Sequence, residues 1–339
     1  MTTTKIALLS LLATSTLILS ACSSTDTSTD SAGATSTPKA VAESADSQAG
    51  GSVSVVATTT MLGDVTNDIV LCAGGTVEVL MPNGVDPHDF SASSDQVASM
   101  ISADLVVVNG LGLESGLTDS LANATSDGAN IFEVAPLLDP IEFGAGSHSE
   151  EGHSDEEGHD DHGSMDPHFW FDMNRMATAA ELIGAELTTA TGDEAYTTCA
   201  QATATQIRAA EGEVRELLES VPGDKRILVT DHEALGYLAD VYGYEIAGTV
   251  IPAGTTLAEP SSADLAALVT TINAEGITAI FSNTSSPTAL AEAVAAESGT
   301  NIKVIPLYVE SLGEPGSPAA TYIEMMRTNA QLIAEGLQG

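Results

Sequence analysis

Short apolar, β-branched runs alternate with helically spaced segments twice along this chain, and no other feature limits its folding as much. The first group is SVSVVAT (52–58), TVEVL (76–80), DLVVVN (104–109) and NIFEV (130–134), with helical spacing over 61–72 and 93–103. The second is RILVT (226–230), YEIAGTV (244–250), ITAIF (277–281) and IKVIP (302–306), with helices predicted over 232–242, 261–275, 288–298 and 318–337. Runs that are apolar at consecutive positions are buried on both faces, as in parallel sheets whose crossover helices cover both sides. The expected fold class is therefore α/β: two βαβ lobes with parallel sheets.

Residues 193–220 contain no proline and a single glycine, Gly212, and are rich in Ala, Glu, Gln and Thr. That composition predicts one long, rigid linker helix between the lobes rather than a loose tether. The expected organisation is a signal segment (1–21), a tether (22–51), an N-terminal lobe (52–190) interrupted by a polar loop (146–164), the linker helix (191–222) and a C-terminal lobe (223–339).

The signal assignment rests on Lys5, an apolar run over 6–19 and the sequence Leu-Ser-Ala-Cys at 19–22. Spanning a bilayer takes about 20 apolar residues, so this run is too short. Cysteine directly after small residues resembles the bacterial lipobox, which marks Cys22 for lipidation. The Ser-, Thr- and Asp-rich stretch that follows has too little apolar bulk to offset the entropy of ordering. Cys72 and Cys199 are the remaining thiols; outside the cytoplasm such a pair can form a disulfide, and sequence spacing leaves the pairing open.

Nine Lys and Arg stand against 48 Asp and Glu, a formal net charge of -39. This surface repels nucleic-acid phosphates and attracts cations, so nucleic acid is excluded as a partner. Acidity by itself says nothing specific about metal.

Four residues fall beyond strand or loop ends, where open α/β sheets bind their ligands. His88 lies in MPNGVDPHDF, its loop stiffened by Pro82 and Pro87, and His168 follows a second Asp-Pro in MDPHFWFD. His232 is expected to open a helix in VTDHEALGYLADVYG, and Glu310 follows the last strand in PLYVESLG. Three imidazoles and a carboxylate make a tetrahedral N3O set, which suits Zn²⁺ well and Mn²⁺ less well.

Enzyme readings fare worse. His232-Glu233 begins like the metalloprotease HExxH motif, but Gly236 stands where the second histidine belongs. Gly110-Leu111-Gly112 hints at a dinucleotide loop, yet Ser115 takes the third glycine's place. With neither a GxSxG elbow nor a P-loop, nucleophilic catalysis has no seat.

VVATTTMLGDV, MPNGVDPHDF, NGLGLE, DPHFWFD, TDHEALGYLADVYG, AEPSSADL and VESLGEPGSPAATYIEMMRTN together resemble the zinc/manganese solute-binding lipoproteins of bacterial ABC importers, along nearly all of the mature chain. The resemblance implies two α/β lobes joined by a long helix, and His88, His168, His232 and Glu310 as metal ligands in the interlobe cleft. Manganese-favouring members usually carry a carboxylate where this chain has His232, which points to zinc. The fourth ligand is more often Asp than Glu, and FSNTSSP, containing Asn283, departs from an acidic version of that segment.

The polar loop carries His148, His153, His159 and His162 among Glu150, Glu151, Asp155, Glu156, Glu157, Asp160 and Asp161, with no bulky apolar residue between Gly144 and Ser164. It reads as an accessory that collects metal beside the cleft rather than as part of one fixed site. The expected function is an extracytoplasmic, lipid-anchored, monomeric receptor that binds Zn²⁺ and delivers it to an ABC permease. The alternatives are the same receptor tuned to Mn²⁺ and, from another class, a zinc-dependent hydrolase. An adhesin would use the same scaffold as a surface contact, but no residue specifies a host ligand.

Overall fold

Val53–Ala57 forms strand β1 in a computed structural model that describes residues 52–144, 165–299 and 301–338. Helix α1 (Thr60–Ala73) follows at once, its N-terminus capped by the Thr59 side chain, which accepts from Leu62 N. Then come β2 (Gly75–Val79), α2 (Ser94–Ser102) with a Ser93/Gln96 capping box, β3 (Leu105–Val108), α3 (Thr118–Ser126) and β4 (Ile131–Glu133). The strands form one parallel sheet in the order β2-β1-β3-β4. The helix α3 sits in TDSLANATS, whose low hydrophobicity does not announce it in the sequence.

The second half repeats the plan. Strands β5 (Ile227–Thr230), β6 (Glu245–Thr249), β7 (Ala279–Asn283) and β8 (Lys303–Leu307) make a second parallel sheet in the order β6-β5-β7-β8. Between the sheets lie α4 (Met173–Thr191) and α5 (Ala195–Glu219), and the second lobe adds α6 (Gly236–Tyr242), α7 (Ser262–Glu275), α8 (Ala289–Glu297) and α9 (Tyr322–Gln338).

Burial explains the consecutive apolar runs. In β1 and β3, Val53, Val55, Ala57, Leu105 and Val107 enter one core, whereas Val56, Val106 and Val108 enter another under α2 and α3. In β5 and β7, Leu228, Ala279 and Phe281 enter the first of these cores, while Val229 and Ile280 face α7 and α8. One central core is thus shared by both sheets, with α1, α4, α5, α6 and α9 filling it. The lobes are therefore joined by buried apolar surface as well as by chain.

Helix α5 carries this connection over about 37 Å, at 1.5 Å per residue, packing on α1 and α4 to one side and on α6 and α9 to the other. It turns back on α4 through Gly192, which adopts the left-handed conformation at φ 75°. The two helices approach closely at Gly184, where an added Cβ would lie 2.2 Å from that of Ala200. A disulfide between Cys72 and Cys199 ties the end of α1 to α5.

Two helices start later than periodicity suggests. Residues 232–235 are a turn, and α6 begins only at Gly236. The reason is where the backbone groups go: His232 O accepts from Thr230 Oγ1 and Ala234 N, and Glu233 N donates to Ala253 O on a neighbouring loop. Helix α9 begins at Tyr322, since residues 313–319 close a loop through Gly313 N to Ala319 O.

Candidate metal centre

His88 follows β2, His232 stands two residues past β5, Glu310 three past β8, and His168 comes just ahead of α4. All are buried, between 0% and 2% exposed. The structure brings these four together: one ligand atom from each lies within 4.8 Å of the others.

Local sequence sets the two Asp-Pro-His histidines. Asp86 Oδ1 accepts from His88 N, and Asp166 Oδ1 accepts from His168 N, each at 2.9 Å, so each aspartate braces the backbone of the histidine two residues on. Only Asp166 also reaches its ring, with Nδ1 and Oδ1 2.7 Å apart. That contact places the proton on Nδ1 and leaves the Nε2 lone pair facing inward. His232 has Asp231 Oδ2 3.6 Å from Nδ1.

The three imidazoles converge on one oxygen. Glu310 Oε1 is 2.9 Å from His88 Nε2, 3.0 Å from His232 Nε2 and 3.5 Å from His168 Nε2. These approaches are short but lack hydrogen-bond direction, and all three Nε2 atoms and Oε1 are buried without a hydrogen-bond partner. Orphaned polar atoms at this depth are costly. Four of them aimed at one point fit a cation, which would take a lone pair from each.

Electrostatics agree. Burial alone would push a histidine down; at His232 the Glu310 charge and Asp231 outweigh it, lifting the ring to about 10. At His168 burial is likewise outweighed, by Asp166 and Glu310, and its pKa rises. Burial would push Glu310 up, but the charges of His232 and His88 hold its carboxyl well below the usual range. The buried carboxylate thus demands positive charge beside it, which protons or a divalent cation can supply.

The chain around Glu310 is clamped from the first lobe. Trp170 Nε1 donates to Val309 O (2.9 Å), Gly84 N to Ser311 Oγ (2.7 Å), Leu312 N to Thr60 Oγ1 (2.9 Å) and Asn83 Nδ2 to Gly313 O (2.7 Å). The Trp170 ring also stands 5.2 Å from that of His168. Tyr237 on α6 returns the contact, its hydroxyl donating to Asp166 O.

Several supporting residues were assigned no role by the sequence. Asn283, at the end of β7, donates to Glu310 Oε2 at 3.1 Å. Glu114 is fully buried and accepts from Thr58 Oγ1, Asn109 N and Gly110 N; burial is the main cause of its raised pKa. The turn at Gly110-Leu111-Gly112 therefore gives its Gly110 amide to a side chain, and Asn109 Nδ2 donates to Pro167 O beneath His168. The closing NGLGLE glutamate was the available signal. Cys22 and His148, His153, His159 and His162 lie outside the described residues.

Two like α/β lobes close on a buried His3Glu cluster, an arrangement suited to a solute-binding receptor. A family described as zinc-uptake complex component A, periplasmic, matches residues 55–336, and the chain belongs to this family of metal-binding substrate-binding proteins of ABC transporters. It is similar to the zinc-binding protein TroA of Treponema pallidum, 29% identical over 304 residues that cover 87% of this chain and 92% of the relative. The manganese-binding lipoprotein MntA of Halalkalibacterium halodurans is 26% identical over 295 residues, 86% of this chain and 90% of its own. In structure, the periplasmic zinc-binding protein TroA superposes with a TM-score of 0.73 at 26% identity, over 85% of this chain and 99% of that one.

Proposed function

We propose that this chain captures Zn²⁺ outside the cytoplasm through His88, His168, His232 and Glu310 and hands it to the permease of an ABC importer, held at the membrane as a monomer by lipid on Cys22. The carrying observation is the set of three Nε2 atoms and Oε1, buried, unpartnered and mutually close. Three nitrogens to one carboxylate favour zinc over manganese, which prefers more oxygen and a higher coordination number. Among the relatives both metals are named, TroA as zinc-binding and MntA as manganese-binding. Metal content and competition calorimetry on protein purified without added metal test the reading. His88→Ala should abolish tight zinc binding, because it removes one of only four ligands; near-normal binding would place the site elsewhere.

The histidine-rich stretch 146–164 is proposed as an accessory collector. Its flanks support this, since Glu142 and Met165 form an antiparallel bridge three residues ahead of His168. Free histidines titrate near pH 6.5, so its binding should fade in mildly acidic medium before that of the buried site. Deleting 146–163 should remove weak zinc equivalents and leave the tight one; loss of the tight event would refute this division.

A further inference from the structure

The buried cluster needs a way in, and the segment 251–257 touches the immediate support of each histidine in turn. Its Ala253 O accepts from Glu233 N at 3.0 Å, next to His232. Gly254 abuts the tip of the Phe143 ring, where an added Cβ would meet Cζ at 2.1 Å, and that ring stands 6.4 Å from His168. Thr256 Oγ1 donates across the cleft to Asp86 Oδ2 at 2.5 Å, while the other oxygen of Asp86 holds His88 N.

This segment has no regular secondary structure, and it ends on Leu257, which is 53% exposed. We infer that residues 251–257 form the gate of the metal centre, and that Thr256 is its latch, closing on Asp86. The inference rests on the metal-receptor reading above. The gate supplies no ligand atom, so it should govern the rates of metal entry and exit together and leave the equilibrium nearly unchanged. Opening it would require the Thr256 hydrogen bond and the bond from Glu233 N to Ala253 O to break and Gly254 to leave Phe143, while His88, His168, His232 and Glu310 keep their places.

Stopped-flow zinc uptake, and release into excess chelator, decide the matter on the full chain. A hydrogen bond to a charged group is worth about 1.5–3 kcal/mol, so Thr256→Val should speed both rates by roughly tenfold or more, with Kd changed by only a few fold. Gly254→Ala, which pushes the segment off Phe143, should do the same without touching the latch, and Thr256→Ser, which keeps the hydroxyl, should restore wild-type rates. Unchanged rates in both Thr256→Val and Gly254→Ala would overturn the gate. So would faster release with unchanged uptake and a proportionate loss of affinity, since Thr256 would then act only by bracing His88 through Asp86. If the wild-type chain takes up no divalent cation, it is the receptor reading that fails.

Discussion

Asn283 donates its side-chain amide to Glu310 Oε2 at 3.1 Å, and all three histidine Nε2 atoms lie around the other oxygen, Oε1. The amide thereby fixes which oxygen faces the three histidines. A segment without acid serves here because a neutral donor orients the carboxylate without adding a second negative charge. Asn283→Ala should weaken zinc binding by about 10–100-fold, the usual cost of losing a residue that orients a ligand, measured by competition against a chelator of known affinity. The fold should survive, because the other side-chain contacts of Asn283 are local, Oδ1 accepting from Ser285 N and Nδ2 donating to Ser286 Oγ.

Exchanging an imidazole for a carboxylate should move metal preference. His232→Glu converts an N3O set into N2O2, and the ratio of zinc to manganese affinity should fall by roughly tenfold or more. Paired titrations with the two metals would check it, and an unchanged ratio would show that His232 does not contribute to selection.

Asp64 gives a pH dependence whose sign can be worked out. Burial is the main cause lifting its carboxyl from 3.8 to about 6, offset in part by the hydrogen bond from Tyr322 N and reinforced by Asp68 and Glu324. The native state therefore holds this proton more tightly than the unfolded chain. Its stabilising contribution is complete below about 3.8 and is lost as pH rises through about 6. Asp64→Asn, which keeps an acceptor for Tyr322 N, should raise stability by about 1–3 kcal/mol at pH 7.5 and change little at pH 4. Thermal melts at the two pH values test this.

The disulfide should matter for stability rather than for metal chemistry. Cys72 and Cys199 are 127 residues apart, and their bond fastens α5 to the first lobe through α1. Closing so long a loop restricts the unfolded chain, so Cys72→Ser with Cys199→Ser should cost about 2–5 kcal/mol. Denaturant unfolding of the double variant, and of wild type with and without reductant, would measure it; zinc affinity in folded protein should be retained.

The alternation of consecutive apolar runs with helical spacing was enough to locate both parallel sheets, because a strand buried on both faces has no polar positions to interrupt it. The same sequence overstated two helices. At 232–235, Glu233 N donates to Ala253 O, a partner some twenty residues away, and no local propensity reveals such a bond. His88 and His168 stood out as a repeated Asp-Pro-His, and the structure adds the brace, an aspartate two residues before each histidine. The roles of Asn283, Thr256 and Trp170 did not show, because each acts on a residue remote in sequence.

By itself, then, the sequence determined the repeated α/β plan, the long bridging helix and the two Asp-Pro-His histidines, all properties of contiguous stretches. Tertiary structure alone decided that one core joins the sheets, that the chain at 309–313 is held by the opposite lobe, and that four unpartnered atoms face one another. The physical reason is that burial and hydrogen-bond partnership are properties of pairs of segments. A cluster drawn from positions 88, 168, 232 and 310 exists only after the two sheets have packed on α5.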